Sequence, residues 1–170
     1  MTHRRTGVDR TRTLRSQAET ESLAAALALA LAPGDAVLLS GPVGAGKSAF
    51  ARAAIRARQA STGLTPEEVP SPSYTLVQAY DAGGVEIWHA DLYRLSDPDE
   101  LVELGLDEAF TRAIVFLEWP ERLGEAAPAR ALRLDLRPDP AADDVRQLRV
   151  RAAGGGWDAA LAALAMADAA

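Results

Sequence analysis

The chain has 170 residues, which is enough for one ordinary domain with a sizeable core. Its apolar fraction of 48% and charged fraction of 25% are close to the averages for globular proteins and argue against a disordered or membrane-embedded chain. A net charge of -6 argues against a globally basic nucleic-acid binder, and the lack of cysteine excludes disulfides, zinc–cysteine sites and thiol catalysis. This composition fits a reducing compartment, so we expect a cytoplasmic protein with no membrane span.

The first fifteen residues, MTHRRTGVDRTRTLR, contain five arginines and one acidic residue. Transit peptides and nucleic-acid-binding arms have such compositions, and so do solvated extensions. The segment lacks the apolar run of a secretory signal. We predict a disordered, arginine-rich extension over residues 1–13 and a single domain over residues 14–170, where no linker or repeat divides the chain.

Strands and helices alternate through the first half of the domain. Ser16 is suited to cap a helix that runs to about residue 32, where Pro33 and Gly34 end it. The apolar run AVLLSG predicts a buried strand, and SAFARAAIRARQA predicts a helix with one buried face. The segment between them, GPVGAGKS, matches the spacing G-x-x-x-x-G-K-[ST] of a P-loop, or Walker A motif, in the strand–loop–helix order that this motif requires.

The chemistry of a P-loop explains why Lys47 is the only lysine in the chain. Glycines let the backbone wrap a phosphate chain, and the loop N–H groups together with the helix N-terminus face the anion. A compact ammonium fits inside the loop and reaches the β- and γ-phosphates, whereas a planar guanidinium is bulkier and more directional. The Ser48 hydroxyl is suited to ligate Mg²⁺. The motif therefore predicts that ATP or a related nucleotide binds here.

Two acidic residues downstream are candidates for the catalytic machinery. AIVFLEW ends a predicted buried strand at Glu118, as a Walker B strand does when it points a carboxylate at the metal. Asp91 follows the predicted strand VEIWHA and is a candidate for orienting water or binding Mg²⁺. His89 alternates with apolar residues on that strand, which favours a packed core histidine over a base.

The remaining segments carry structure rather than chemistry. SPSYTLVQAY and VEIWHADLY predict two strands joined by the four-residue turn DAGG, and EEVPSPS before them is either a mobile switch or a plain loop. Residues 97–105 predict a short helix, and residues 131–156 predict two more strands followed by a terminal helix. Three arginines on the P-loop helix form a face that is either solvated or part of an RNA or protein surface: Arg52, Arg56 and Arg58.

The order of motifs resembles the TsaE family, the small ATPases of tRNA threonylcarbamoyladenosine biosynthesis. The resemblance runs from about Leu14 to Gly124. Many families share a P-loop, but the combination of these segments is specific. They are AETESL, GPVGAGKS, SPSYTL, HADLYRL followed by DPDELVELGLDE, and FLEWPERLG.

The resemblance implies a fold, a site and partners. The fold is an α/β P-loop three-layer sandwich with a mixed, largely parallel central sheet plus antiparallel hairpin strands. Lys47, Asp91 and Glu118 are the implied catalytic residues, and Ser48 and Glu118 the implied Mg²⁺ ligands. The implied ATP-binding residues are Gly41, Pro42, Val43, Gly44, Ala45, Gly46, Lys47, Ser48, Ala49, Thr75 and Trp119. Ser71, Ser73 and Thr75 resemble the family's switch segment. The implied partners are TsaD-type and TsaB-type proteins, with tRNA contacted indirectly through their complex.

Three positions depart from the family pattern. Pro42 stands where an acidic residue is usual, and Ser48 and Ser73 stand where threonine is common. Both serines keep a hydroxyl, whereas Pro42 removes one loop N–H. Two other functions also fit a P-loop: a small-molecule kinase, for which Arg94 and Arg122 are isolated lid candidates, and a nucleotide-dependent interaction module without turnover.

Overall fold

A single mixed sheet organises the computed structural model, which describes residues 7–166. The strands are β1 (Val8–Leu14), β2 (Ala36–Ser40), β3 (Val77–Ala82), β4 (Val85–Asp91), β5 (Ile114–Glu118), β6 (Ala131–Asp139) and β7 (Ala142–Ala153). The helices are α1 (Gln17–Leu29), α2 (Lys47–Ser61), α3 (Glu100–Leu104), α4 (Leu106–Arg112) and α5 (Asp158–Met166), with a 3₁₀ helix at Pro120–Ala126.

The strand order in the sheet is β1-β7-β6-β2-β5-β4-β3. The central strands β6, β2, β5 and β4 are parallel to one another, whereas β7 and β3 run antiparallel to their neighbours. Each antiparallel strand comes from a hairpin, β3–β4 or β6–β7, added to the parallel core. The predicted mixed, largely parallel sheet is therefore confirmed.

Both faces of the sheet are covered, as a parallel core requires. Side chains alternate across β2, so that Val37 and Leu39 face one hydrophobic cluster with α1, α2 and α5, and Leu38 faces a second cluster with α3 and α4. The result is the predicted three-layer sandwich. Within the described residues, no helix combines the length and the apolar character needed to cross a bilayer.

The prediction of a disordered extension over residues 1–13 is wrong for residues 8–13. These residues belong to β1, which pairs antiparallel with β7 from Val8↔Ala152 to Leu14↔Arg146, and Arg149 of β7 forms an ion pair with Asp9. Alternating threonine and arginine suits an edge strand, whose charged side chains discourage further pairing. The arginine content therefore marks a sheet edge and not disorder, while residues 1–6 lie outside the described part of the chain.

Some predicted boundaries also move. Helix α1 ends at Leu29, three residues before the predicted end. The strand β3 begins only at Val77, because Leu76 adopts a left-handed conformation with φ of 65° that interrupts an extended chain. The β3–β4 turn has two residues between the strands, Gly83 and Gly84, both with positive φ as the tight hairpin turn requires.

The arginines of α2 donate hydrogen bonds to neighbouring backbone carbonyls and are not simply solvated. Arg52 Nε donates to the Val69 carbonyl at 2.8 Å, and Arg56 donates to the Glu67 carbonyl. Arg58 donates to two carbonyls at the C-terminal end of α1, at 2.9 and 2.8 Å. Because helix C-termini leave carbonyls without partners, Arg58 caps α1 from outside. These three arginines therefore connect α2 to α1 and to the segment that precedes β3.

One glycine of the loop between β2 and α2 has no room for a side chain. Gly41 has φ of 137°, and a Cβ placed there would lie 2.1 Å from the carbonyl oxygen of Leu136 in β6. Gly44 has φ of 82°, but nothing lies within 4 Å of its Cβ position. The loop therefore passes so close to β6 at Gly41 that the contact fixes its path.

We expect Gly41→Ala to lower the free energy of unfolding by about 3 kcal/mol, from the left-handed conformation and the clash together. Gly44→Ala is the matched control and should cost only about 1 kcal/mol, since it has the conformational term alone. Chemical denaturation of both variants without nucleotide measures this difference. Equal losses in the two variants would contradict the proposed close approach to β6.

Candidate nucleotide site at the carboxyl edge of the sheet

Three parallel strands end side by side beneath the glycine-rich loop. The register pairs Leu39 of β2 with Glu118 of β5, and Glu118 with Asp91 of β4. The carboxyl ends of parallel strands form the usual ligand edge of such a sheet, and the helix that follows the loop starts there. Residues that are far apart in the sequence therefore meet at one place.

An open pocket of about 460 Å³ lies at this edge. The P-loop, the start of α2, the segment before β3 and the ends of β4 and β5 all contribute to its walls. The lining residues are Val43, Gly44, Ala45, Gly46, Lys47, Ser48, Ala49, Ser71, Ser73, Asp91, Tyr93, Arg94, Glu118 and Trp119.

Lys47 is buried at the start of α2, with 5% of its surface exposed. Its Nζ donates to the carbonyls of Gly41 and Pro42, the latter at 2.9 Å. Burial lowers the pKa of the Lys47 ammonium from its usual value, while the charges of Glu118 and Asp91 act in the opposite direction. The ammonium is thus partly desolvated, and an anionic ligand beside it gains more than it would in water.

The Trp119 ring also contacts this ammonium. Lys47 Nζ lies 4.1 Å from the indole centroid, within the range of a cation–π contact. Trp119 has φ of 61°, which is unusual for a bulky residue, and its N–H donates to the Leu39 carbonyl at 3.3 Å. Tyr93 packs against the indole with the ring centroids 4.9 Å apart. These contacts hold the strained backbone and place an aromatic wall on the pocket.

Glu118 joins the P-loop helix to β4. Its Oε1 and Oε2 lie 2.8 and 3.0 Å from Ser48 Oγ, whose single proton they share, and its Oε2 accepts from His89 Nε2 at 2.7 Å. His89 is fully buried and Glu118 is 2% exposed. A buried carboxylate needs such donors, so Ser48 and His89 together fix its orientation.

Asp91 approaches the same pocket from the end of β4. Its Oδ1 accepts from the Tyr93 N–H at 3.0 Å, whereas its Oδ2 has only a long contact of 3.4 Å with Ser73 Oγ. Ser71 Oγ lies 2.9 Å from Ser73 Oγ and 3.4 Å from Ser48 Oγ. One carboxylate oxygen of Asp91 is thus held while the other is weakly engaged, and a chain of hydroxyls links it to the P-loop.

The structure brings most of the candidate residues together. Val43 to Ala49, Asp91, Glu118 and Trp119 all line the pocket. Gly41 and Pro42 contribute carbonyls that hold Lys47 rather than a pocket wall. Thr75 is exposed and lies outside the lining, where its Oγ1 accepts from Gln78.

Two residues in this region were missed from the sequence alone. His89 was expected to be a packed core residue, and it is buried, but it is also the partner of Glu118. The sequence did carry a signal that His89 lies near the site: it is two residues before Asp91 on one strand, and residues i and i+2 share a face. Tyr93 gave no comparable signal, since its contact with Trp119 depends on how β4 and β5 end.

The oxygen groups here suit a magnesium ion held jointly with a phosphate. Ser48 and Glu118 offer a hydroxyl and a carboxylate within hydrogen-bond distance of each other, and Mg²⁺ prefers such hard oxygen ligands. It is usually held by one or two protein groups together with substrate phosphates and water. The donor set therefore fits this ion.

Comparisons with known proteins agree with the geometry. The family model described as threonylcarbamoyl adenosine biosynthesis protein TsaE matches residues 14–148. The tRNA threonylcarbamoyladenosine biosynthesis protein TsaE of Bacillus subtilis is 32% identical over 141 residues, which are 82% of this chain and 84% of that protein. The protein of the same name from Rickettsia bellii is 36% identical over 124 residues, or 73% of this chain and 83% of its own length.

Other relatives match over shorter stretches. The TsaE protein of Rickettsia conorii is 42% identical over 109 residues, which are 64% of this chain and 60% of that protein.

The crystal structure of Bacillus subtilis YdiB is similar to the whole fold, with a TM-score of 0.74 and 25% identity over 96% of this chain and 98% of that chain. With the P-loop, the paired acids and the sandwich in place, the family match over residues 14–148 leads to one conclusion: the chain belongs to the TsaE family.

Proposed function

We propose that this protein binds and hydrolyses Mg²⁺·ATP in tRNA threonylcarbamoyladenosine biosynthesis, and that it acts on a complex of TsaD-type and TsaB-type proteins. The observation that carries the proposal is the convergence of Lys47, Ser48, Asp91 and Glu118 around one open pocket. Membership of the TsaE family gives the biosynthetic context. The proposal makes the protein an ATPase subunit of a modification machinery.

The loop binds the phosphates of the nucleotide. Lys47 exchanges its carbonyl partners at Gly41 and Pro42 for phosphate oxygens, which carry more negative charge and make stronger hydrogen bonds with an ammonium. The N–H groups at the start of α2 add to this field. Trp119 limits the space beside the ammonium and keeps water away from one side. These groups orient the terminal phosphate toward the two acids.

The carboxylates of Glu118 and Asp91 have different roles in the proposed hydrolysis. Glu118 has both oxygens engaged beside Ser48, which suits a metal ligand held in a fixed orientation. Mg²⁺, when bound there, would neutralise charge that develops on the phosphates. Asp91 has one weakly engaged oxygen facing the pocket, which suits the orientation of an attacking water. We therefore assign Glu118 to the metal and Asp91 to the water.

Turnover in this proposal is slow without partners. The pocket is open and its rim includes the exposed residues Val43 and Tyr93, so water is not excluded from the nucleotide in the isolated chain. Docking of a partner protein would close this rim and complete the site. The net charge of -6 disfavours direct binding of tRNA, which we place on the partner complex in the cytoplasm.

Replacing Lys47 tests the phosphate site. Lys47→Ala should weaken binding of ADP and ATP by roughly 100-fold, because it removes charge-assisted hydrogen bonds to two phosphates. Lys47→Arg should also bind poorly, since a guanidinium does not fit between the loop and Trp119. Calorimetry measures both affinities. Arg149→Ala is the control for loss of one positive charge, and normal binding by Lys47→Ala would refute the assignment.

The hydrolytic step is tested by phosphate release from Mg²⁺·ATP, with and without TsaD-type and TsaB-type proteins of the same organism. The partners should stimulate release strongly, and Glu118→Gln should reduce the stimulated rate at least about tenfold because an amide is a poorer Mg²⁺ ligand. Affinity for ADP without Mg²⁺ should stay within about threefold of the original protein.

Two results would count against this function. Confirmed ATP binding without stimulation by the partners would remove the proposed role in their complex. Stimulated hydrolysis that survives Glu118→Gln and Asp91→Asn unchanged would show that the two acids do not perform the chemistry assigned to them.

A further inference from the structure

The outer side of the P-loop is held by an arginine from a distant part of the chain. Arg146 Nε donates to the Ala45 carbonyl at 3.0 Å, and its Nη2 lies 3.4 Å from the Gly44 carbonyl. Its remaining terminal nitrogen donates to the carbonyls of Asp143 and Val145, beside it in β7. One guanidinium thus joins two consecutive peptide groups of the loop to the β6–β7 hairpin.

The position of Arg146 on its strand is unusual for a charged residue. Alternation along β7 places it on the same face as Leu148 and Val150, both buried in the cluster that α1 and α2 cover. Arg149, on the opposite face, is exposed and paired with Asp9. Arg146 itself is half-buried, and a partly buried charge is costly unless its donors are satisfied; here backbone carbonyls accept from all three nitrogens.

Loop carbonyls must point away from a phosphate if the N–H groups are to point toward it. Peptide groups are planar, so the Ala45 carbonyl and the Gly46 N–H belong to one rigid unit and point in opposite directions. Arg146 lies in a small cavity of about 100 Å³, which Ala45 and Gly46 also line. These two loop residues line the phosphate pocket as well. Because Arg146 holds the Ala45 carbonyl on the side of the small cavity, the Gly46 N–H of the same peptide is directed toward the phosphate pocket.

We propose that Arg146 is a positioning residue that holds the P-loop in the conformation that receives phosphate. The guanidinium is planar and donates from two fixed directions, so it sets the relative orientation of two neighbouring peptides, which a flexible ammonium does not do. Arg146 acts through Gly44 and Ala45 and does not contact the ligand. This role rests on the proposed nucleotide site, and it adds the hairpin as part of that site.

The contact also compensates for the sequence of this loop. Pro42 provides no N–H, and the Ala45 N–H is already donated to the Pro42 carbonyl at 3.1 Å. Fewer loop N–H groups are thus available to an anion, so the direction of each remaining one matters more. Gly46 has φ of 101° and caps α2 without a side chain, so the orientation of the Ala45–Gly46 peptide depends on the partner of its carbonyl, which is Arg146.

The test compares Arg146→Ala and Arg146→Lys with the original protein and with Arg149→Ala, which removes the same charge from the same strand. Calorimetry gives the affinities for ADP and ATP at low salt and at about 0.5 M salt. Hydrogen exchange of the peptide covering residues 41–50, measured by mass spectrometry without nucleotide, gives the order of the loop directly. The lysine variant keeps the test valid if the alanine variant does not fold.

We expect Arg146→Ala to bind both nucleotides at least about tenfold more weakly at either salt concentration, and Arg149→Ala to stay within about twofold. Arg146→Lys should recover only part of the loss. Exchange in residues 41–50 should accelerate in the two Arg146 variants and not in Arg149→Ala, with exchange elsewhere unchanged.

Three outcomes would overturn the proposal. These are equal affinities for the two alanine variants, a loss that disappears at high salt or is fully restored by lysine, and unchanged exchange in the loop. The second outcome would mean that Arg146 contributes only its charge. Failure of the proposed nucleotide site is distinguishable, because the original protein would then bind neither nucleotide, while hydrogen exchange would still report whether Arg146 orders the loop.

Discussion

The shared register of β2, β5 and β4 is the constraint on which the site depends. Parallel pairing places the ends of these strands at one edge, so Glu118 lies between Leu39, which leads into the glycine loop, and Asp91. A shift of one residue in β5 would turn Glu118 toward the opposite face of the sheet and put Leu117 beside Ser48. The buried apolar alternation of the strands prevents that shift, so packing of the two hydrophobic clusters sets the geometry of the polar site.

The site concentrates ionisable groups that would be costly anywhere else in the core. Lys47, His89, Asp91 and Glu118 are all buried, and each has at least one hydrogen-bond partner, although the buried Nδ1 of His89 has none within the described residues. The network is satisfied for Glu118 and only partly for Asp91, and the Lys47 ammonium is desolvated. Stability and function thus place different demands on the same residues: the carboxylate of Glu118 is already held in one orientation, as the proposed metal ligand must be, and the less satisfied Asp91 and Lys47 can gain partners from a ligand.

The sequence predicted those parts of the fold that have a local signal. The loop spacing located Lys47 and Ser48, and the apolar run before Glu118 identified a buried strand. The order of motifs identified the family, which the comparisons confirm. Contacts between distant segments could not be predicted in this way. The pairing of His89 with Glu118, the capping of α1 by Arg58 and the hold of Arg146 on the loop all depend on tertiary packing. Charge content was also misleading: residues 8–13 look solvated by composition, yet β7 gives them a strand to pair with.

The location of β1 bears on how this protein can be shortened. The family match covers residues 14–148, and a fragment trimmed to these limits would lose nearly all of β1 and the end of β7. Removal of β1 and of residues 149–153 would leave backbone N–H and C=O groups unpaired along Ala131–Asp135 of β6 and along the remaining part of β7, at an edge that no longer carries Arg10. Open edges of this kind pair with other chains. Such a fragment would contain every residue of the nucleotide pocket and still be prone to aggregate.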